Sequence, residues 1–149
     1  MRRLIVYYSY TGNTAKMAEK LAEKRRCDVL QVKDAHRPGT LKAYTLGILA
    51  ALRGKAWEIE PAQLNFEEYD FITVMAPVWA GKPAPQINGV LQALPSGKQV
   101  EVIMVSGSGE SNCKQKLEKL LELKDCRMAD FKNVRGKLAE QLDSNNNDE

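Results

Sequence analysis

The chain has 149 residues, 44% of them hydrophobic and 28% charged, with a formal net charge of +3, which suits one domain with a single core. No apolar run approaches the ~18 residues of a membrane span. Three scattered cysteines and one histidine, His36, argue against a disulfide framework, a structural zinc site or a Ser-His-Asp relay.

In chain order, Met1-Arg2-Arg3 leads into the apolar run Leu4-Ile5-Val6-Tyr7-Tyr8. That run is too short for a signal-peptide core and reads as a strand buried on both faces. A turn-rich stretch follows, then Met17, Ala18 and Leu21 at helical spacing. Val29–Val32 is a short second strand, and His36-Arg37-Pro38-Gly39 is a loop. Leu41, Thr45, Ile48, Leu49 and Leu52 form one face of a helix that Gly54 ends. Phe71–Ala76 is the clearest strand in the chain. Ile87, Val90, Leu91 and Leu94 make the next helix, Val100–Val105 the fourth strand, and Cys113, Leu117, Leu120 and Leu121 another helical stripe. Met128–Val134 is a weaker fifth strand, and Val134, Leu138 and Leu142 suggest a short closing helix. Residues 1–142 are expected to form the domain. Residues 143–149 carry three acids and no base, so all 22 basic residues lie in the body; this tail is expected to be disordered.

Strands alternating with helices predict a doubly wound α/β domain, a five-stranded parallel sheet covered on both faces. Such sheets bind ligands at the carboxyl ends of their strands. Three segments fall there. The first is Ser9-Tyr10-Thr11-Gly12-Asn13-Thr14, between a buried strand and a helix. A helix start presents unpaired N–H groups and a positive dipole end, and Gly12 admits close approach of a ligand or a positive φ. Hydroxyls and an amide complete a neutral cradle for a small dianion; an ordinary capped turn is the other reading. The chain has no Gly-x-x-x-x-Gly-Lys-Ser/Thr run and no complete Gly-x-Gly-x-x-Gly.

The second segment is Pro77-Val78-Trp79-Ala80-Gly81-Lys82-Pro83-Ala84-Pro85, read as a loop stiffened by prolines. Trp79 is placed there either to stack on a planar ring or to pack on a neighbouring helix. The third is Ser106-Gly107-Ser108-Gly109-Glu110-Ser111-Asn112, whose exposed amides and hydroxyls suit the polar edge of a conjugated ring, or a flexible turn. Cys113 beside it reads as core; Tyr44 on the second helix reads as packing, with reach to the ring edge as the other reading. His36 reads as solvated. No catalytic acid–base residue and no metal ligand set is expected.

Tyr7-Tyr8-Ser9-Tyr10-Thr11-Gly12-Asn13-Thr14 resembles the phosphate loop of the flavodoxin family, which binds flavin mononucleotide (FMN). Ala76-Pro77-Val78-Trp79-Ala80-Gly81, with Pro83 and Pro85 after it, is similar to the first ring loop of a short branch of that family, and Ser106-Gly107-Ser108-Gly109 to its second. Residues 39–60, with Ala51-Leu52-Arg53-Gly54-Lys55 and Glu58-Ile59-Glu60-Pro61, also fit that branch. The resemblance runs to about residue 135. It implies strand order 2-1-3-4-5, an FMN phosphate held by residues 9–14, and a ring lying between 77–82 and 106–112, with a backbone group near Gly81 against its reactive nitrogen.

The chain departs from the family in two ways. It is not strongly acidic, as electron-shuttling flavodoxins are. It also has no aromatic residue between Val105 and Cys126 to stack on the flavin from the second ring loop, which leaves one ring face open or covered by a partner chain. The expected function is FMN-dependent electron transfer with a redox partner protein. Alternatives are an NAD(P)H-dependent quinone or flavin reductase taking hydride from a nicotinamide cofactor, and a non-catalytic interaction module of the same fold. A cytoplasmic monomer or homodimer is expected, with no nucleic-acid partner.

Overall fold

The computed structural model describes residues 2–9, 12–32, 66–79 and 81–136. The readings of His36, Tyr44, the helix over residues 41–52, the closing helix beyond residue 136 and the acidic tail fall outside these residues. The elements are β1 (Arg3–Tyr7), α1 (Asn13–Arg25), β2 (Asp28–Gln31), β3 (Phe71–Trp79), β4 (Lys82–Pro83), α2 (Gln86–Ala93), β5 (Gln99–Ser106), α3 (Lys114–Leu123) and β6 (Arg127–Arg135).

The order β2-β1-β3-β5-β6 is parallel throughout, and β4 pairs antiparallel with β3. Leaving out the two-residue β4, this is the expected 2-1-3-4-5 order. The three central strands are buried almost end to end, because helices cover both faces. On one face Leu4, Val6, Ile72, Val74, Val102 and Met104 pack with Val90 and Leu91 of α2 and Leu117 and Leu121 of α3. On the other, Ile5, Tyr7, Met75, Ile103 and Val105 meet Met17, Ala18 and Leu21 of α1. Edge strands β2 and β6 are mostly exposed, which is why β6 reads faintly in the sequence. Its ladder with β5 also slips a register between Val100 and Glu101. Val134 is a buried residue of β6, not the first residue of a closing helix.

The structure corrects the second segment. Pro77, Val78 and Trp79 are not loop residues but the last three of β3. Proline has no N–H to give a ladder, but Pro77 still lies opposite Val105 of β5, and its carbonyl accepts from the Ala84 N–H at 3.0 Å. Val78 pairs with Pro83 and Trp79 with Lys82, so the strand carries straight into a tight hairpin.

Among the described residues, one charged side chain is buried in the sheet. Glu101 of β5 is 3% exposed. Its carboxylate accepts from Arg25 Nη1 at 2.6 Å and from the Thr73 hydroxyl at 2.9 Å, with Lys132 Nζ at 3.6 Å. Burial opposes its ionisation, but Arg25, Thr73 and Lys132 together outweigh burial and hold the carboxyl below its ordinary value. A carboxyl depressed in the folded state stabilises the fold above the ordinary carboxylate range, and that contribution is lost as pH falls through its folded value. Glu101→Gln should therefore cost about 3 kcal/mol at pH 7, because it strands Arg25 without its carboxylate. In urea unfolding the gap to wild type should close as pH falls toward 3; a gap independent of pH would show that the ion cluster is not its source.

Candidate functional site

At the carboxyl edge, β1 passes through Ser9 and Gly12 into α1. Gly12 has φ +96 and caps the helix, a conformation that costs a residue with a Cβ. Its N–H donates to Ser9 Oγ at 3.1 Å, and the first helical bond runs from Lys16 N–H to Gly12 O at 3.1 Å. The N–H groups of Asn13, Thr14 and Ala15 thus begin the helix with no acceptor inside it. No acidic residue occupies the first turn to offset the positive end of the dipole. Among the described residues, a Cβ on Gly12 would meet no atom within 4 Å. Thr14 is buried beneath the loop and Asn13 is exposed. Tyr10 and Thr11 lie outside the described residues.

Three contacts bring the three segments together. Tyr8, buried at the end of the first strand, meets the half-buried Trp79 edge to face with ring centroids 6.1 Å apart. Trp79 thus packs on Tyr8 at the strand's end, where pairing with Lys82 fixes its backbone. Next, the Cys113 thiol donates to Gly81 O at 3.4 Å, fastening the β3–β4 turn to the third segment. Burial pushes this thiol up, against the pull of Ser111, Lys82 and Lys116, so it keeps the proton it donates. Cys113 is core, as expected, but it caps α3 instead of lying within it. Finally, Gly136 N–H donates to Ser106 O at 3.0 Å, and the Asn13 amide nitrogen lies 3.6 Å from where a Gly136 Cβ would stand. Ala80 lies outside the described residues.

The third segment is ordered by its own serine. Ser106 Oγ accepts from the Gly109 N–H at 2.9 Å and the Glu110 N–H at 3.1 Å, and donates to Glu110 O at 3.2 Å. Strand β6 holds it from outside: Arg135 Nε donates to Ser108 O at 3.3 Å and the Ser111 hydroxyl to Asn133 Oδ1. Gly109, at φ +74, allows Arg135 to lie across it, since a Cβ there would stand 2.9 Å from Arg135 Cγ. Gly107 and Ser108 stay exposed. Sequence reasoning gave Tyr8 no contact with Trp79 and missed Asn133, Arg135 and Gly136. Pairing β5 with β6 in register, Ser106 opposite Arg135, is the signal that locates the last three.

No family model matches the chain, and no curated protein does. Solved structures do match. A flavoprotein from Lactobacillus acidophilus NCFM, in complex with FMN, is 24% identical over 96% of this chain and 97% of its own, with a TM-score of 0.72. A protein from Bacteroides eggerthii DSM 20697 is 20% identical over 95% and 94% respectively, at 0.75. The two-electron reduced flavodoxin of Megasphaera elsdenii is 17% identical over 91% and 86%, at 0.53. The fold is flavodoxin-like. In this flavodoxin-like chain the three segments lie at the carboxyl edge, around the crevice where the connections from β1 and β3 diverge. Among the described residues, no helix is long and apolar enough to cross a membrane.

Ser106→Ala removes the acceptor for two N–H groups. Amide exchange at Gly109 and Glu110 should quicken at least several-fold, with about 1 kcal/mol lost from overall stability. Unchanged exchange would mean that Ser106 does not order the segment.

Proposed function

We propose that the chain binds FMN and serves electron transfer. The observation that carries this reading is the start of α1: an acid-free helix N-terminus with a left-handed Gly12, at the β1/β3 crevice of a flavodoxin-like sheet. Its donor set suits one terminal phosphate. Ser9, Tyr10, Thr11, Gly12, Asn13 and Thr14 would hold that phosphate through hydroxyls, the Asn13 amide and helix N–H groups. Pro77, Val78, Trp79, Ala80 and Gly81 would border the ring on one side, and Ser106, Gly107, Ser108 and Gly109 on the other. FMN supplies one- and two-electron chemistry, so no acid–base residue of the chain is required.

The chain's own part is to hold the ring and set its surroundings. The Trp79 indole offers a flat apolar surface beside the β3–β4 turn. The Cys113 thiol restrains the Gly81 carbonyl, and with it a peptide that would face the ring. Ser106 and Arg135 fix the amides and carbonyls of the opposite segment. Three free thiols suit a cytoplasmic protein.

Titration of apoprotein with FMN, followed by flavin fluorescence, tests the reading. Gly12→Val places a branched side chain in space that the phosphate would fill, and strains the cap. FMN affinity should fall at least thirtyfold, equivalent to about 2 kcal/mol. Equal affinity in the variant would remove the phosphate from this loop.

One observation favours a reductase as the second reading. The segment after β5 carries no aromatic residue and exposes Gly107 and Ser108, which leaves a ring face open to a nicotinamide. Stopped-flow mixing of the FMN-loaded protein with NADH and NADPH separates the two. Fast bleaching of the flavin absorbance is expected of a reductase. A colour that persists until a reductase protein is added is expected of a carrier.

A further inference from the structure

The opposite edge of the sheet holds a second concave feature, an open cleft of about 450 Å³ lined by Arg2, Arg3, Arg25, Arg26, Cys27 and Asp28. Arg2 precedes β1 and Arg3 opens it; Arg25 ends α1, Arg26 is its left-handed C-cap, and Asp28 opens β2. Because α1 returns antiparallel across the sheet, its last residues come back beside the first residues of β1. The 13 residues of α1 rise about 20 Å, which separates this cleft from Gly12 by that much.

Three of the four guanidinium groups are held in place. Arg2 bonds Glu68 at 2.9 Å, lies 3.5 Å from Asp28 and covers the Tyr69 ring at 5.0 Å. Tyr69 in turn donates its hydroxyl to Asp28 at 2.8 Å. Arg25 is bound to Glu101, and Arg3 lies over the Phe71 ring at 5.0 Å. Stacking on a ring fixes a guanidinium while leaving its N–H edge available. Among the described residues, no carboxylate pairs with Arg3 or Arg26. The cleft therefore keeps two unneutralised charges, Arg3 and Arg26, beside the ion-paired Arg2 and Arg25.

We propose that this cleft binds a small anion bearing a diphosphate group. Arginine, unlike lysine, engages such oxygens in pairs. The cleft's size is that of a small-molecule site, not of a protein-docking face, and fixed guanidinium groups lower the ordering cost of binding. The diphosphate is that of inorganic pyrophosphate or of a nucleotide. Cys27 lines the same cleft and reports on its occupancy.

Isothermal titration of inorganic pyrophosphate and of ADP, at constant ionic strength and with and without saturating FMN, tests the proposal. Saturable heat that survives FMN is expected, weakened at least tenfold in Arg3→Gln/Arg26→Gln with unchanged FMN affinity. If that double variant does not fold, Arg26→Gln alone, at an exposed cap, should weaken binding several-fold. Saturating pyrophosphate should also slow iodoacetamide labelling of Cys27, mapped by mass spectrometry, more than sodium chloride of equal ionic strength does. Tighter binding of ADP than of pyrophosphate assigns the site to a nucleotide, and the reverse assigns it to the free diphosphate. The proposal is overturned by the absence of heat from both ligands, by heat that FMN abolishes, by binding retained in the arginine variant, or by protection that chloride reproduces.

Discussion

Everything in this fold depends on the burial of β1, β3 and β5 from both sides. A strand that shows neither face to water satisfies its backbone only through its neighbours, and parallel pairing forces each connection to return across a face of the sheet. Each of the main strands then ends at the same edge. From β1 the chain passes outward to β2, while β3 sits on the other side of β1 and leads on toward β5. The connections part there, and the crevice between them is where an open α/β sheet has room for a ligand.

Helix α1 ties the two ends of the molecule together and makes them different. Its amino end, capped by Gly12, presents open N–H groups to the crevice. The negative end of its dipole is met by Lys24 and Arg25. Arg25 goes further and reaches Glu101 inside the sheet, so a charge that completes the helix also satisfies a buried carboxylate. The same turn brings Arg26 and Cys27 beside the start of β1. One helix thus places an acid-free amino end at one edge and a cluster of cations at the other.

Rigidity at the carboxyl edge comes from pairing where irregular loop is the usual expectation. The hairpin of β3 and β4 fixes Trp79 against Tyr8, and Cys113 bonds the turn that follows. Across the crevice, Ser106 gathers the backbone of residues 109–110 while β6 holds the segment from outside. Groups fixed in this way present constant dipoles to whatever they surround, which is how a protein tunes a bound redox group without reacting itself.

Much of this was legible in the residues alone. Mainly apolar runs such as Leu4–Tyr8 and Phe71–Ala76 read as strands buried on both faces, and their alternation with helical stripes points to a parallel sheet. Glycine and small hydroxyls from Ser9 to Thr14 announce a helix start, and α1 begins at Asn13; by themselves those residues suit a capped turn as well as a cradle. Local sequence did not disclose that β3 continues through Pro77 to Trp79, since a proline in a strand is decided by whether a partner needs its missing N–H. The clamp from Arg135, Asn133 and Gly136 was equally hidden, because it depends on the register of β6 against β5. So was the meeting of Arg2 and Arg3 with Arg25 and Arg26. Periodicity and turn chemistry are local and can be read along the chain, but long-range register and the return of a helix to the strand before it exist only once the chain has folded.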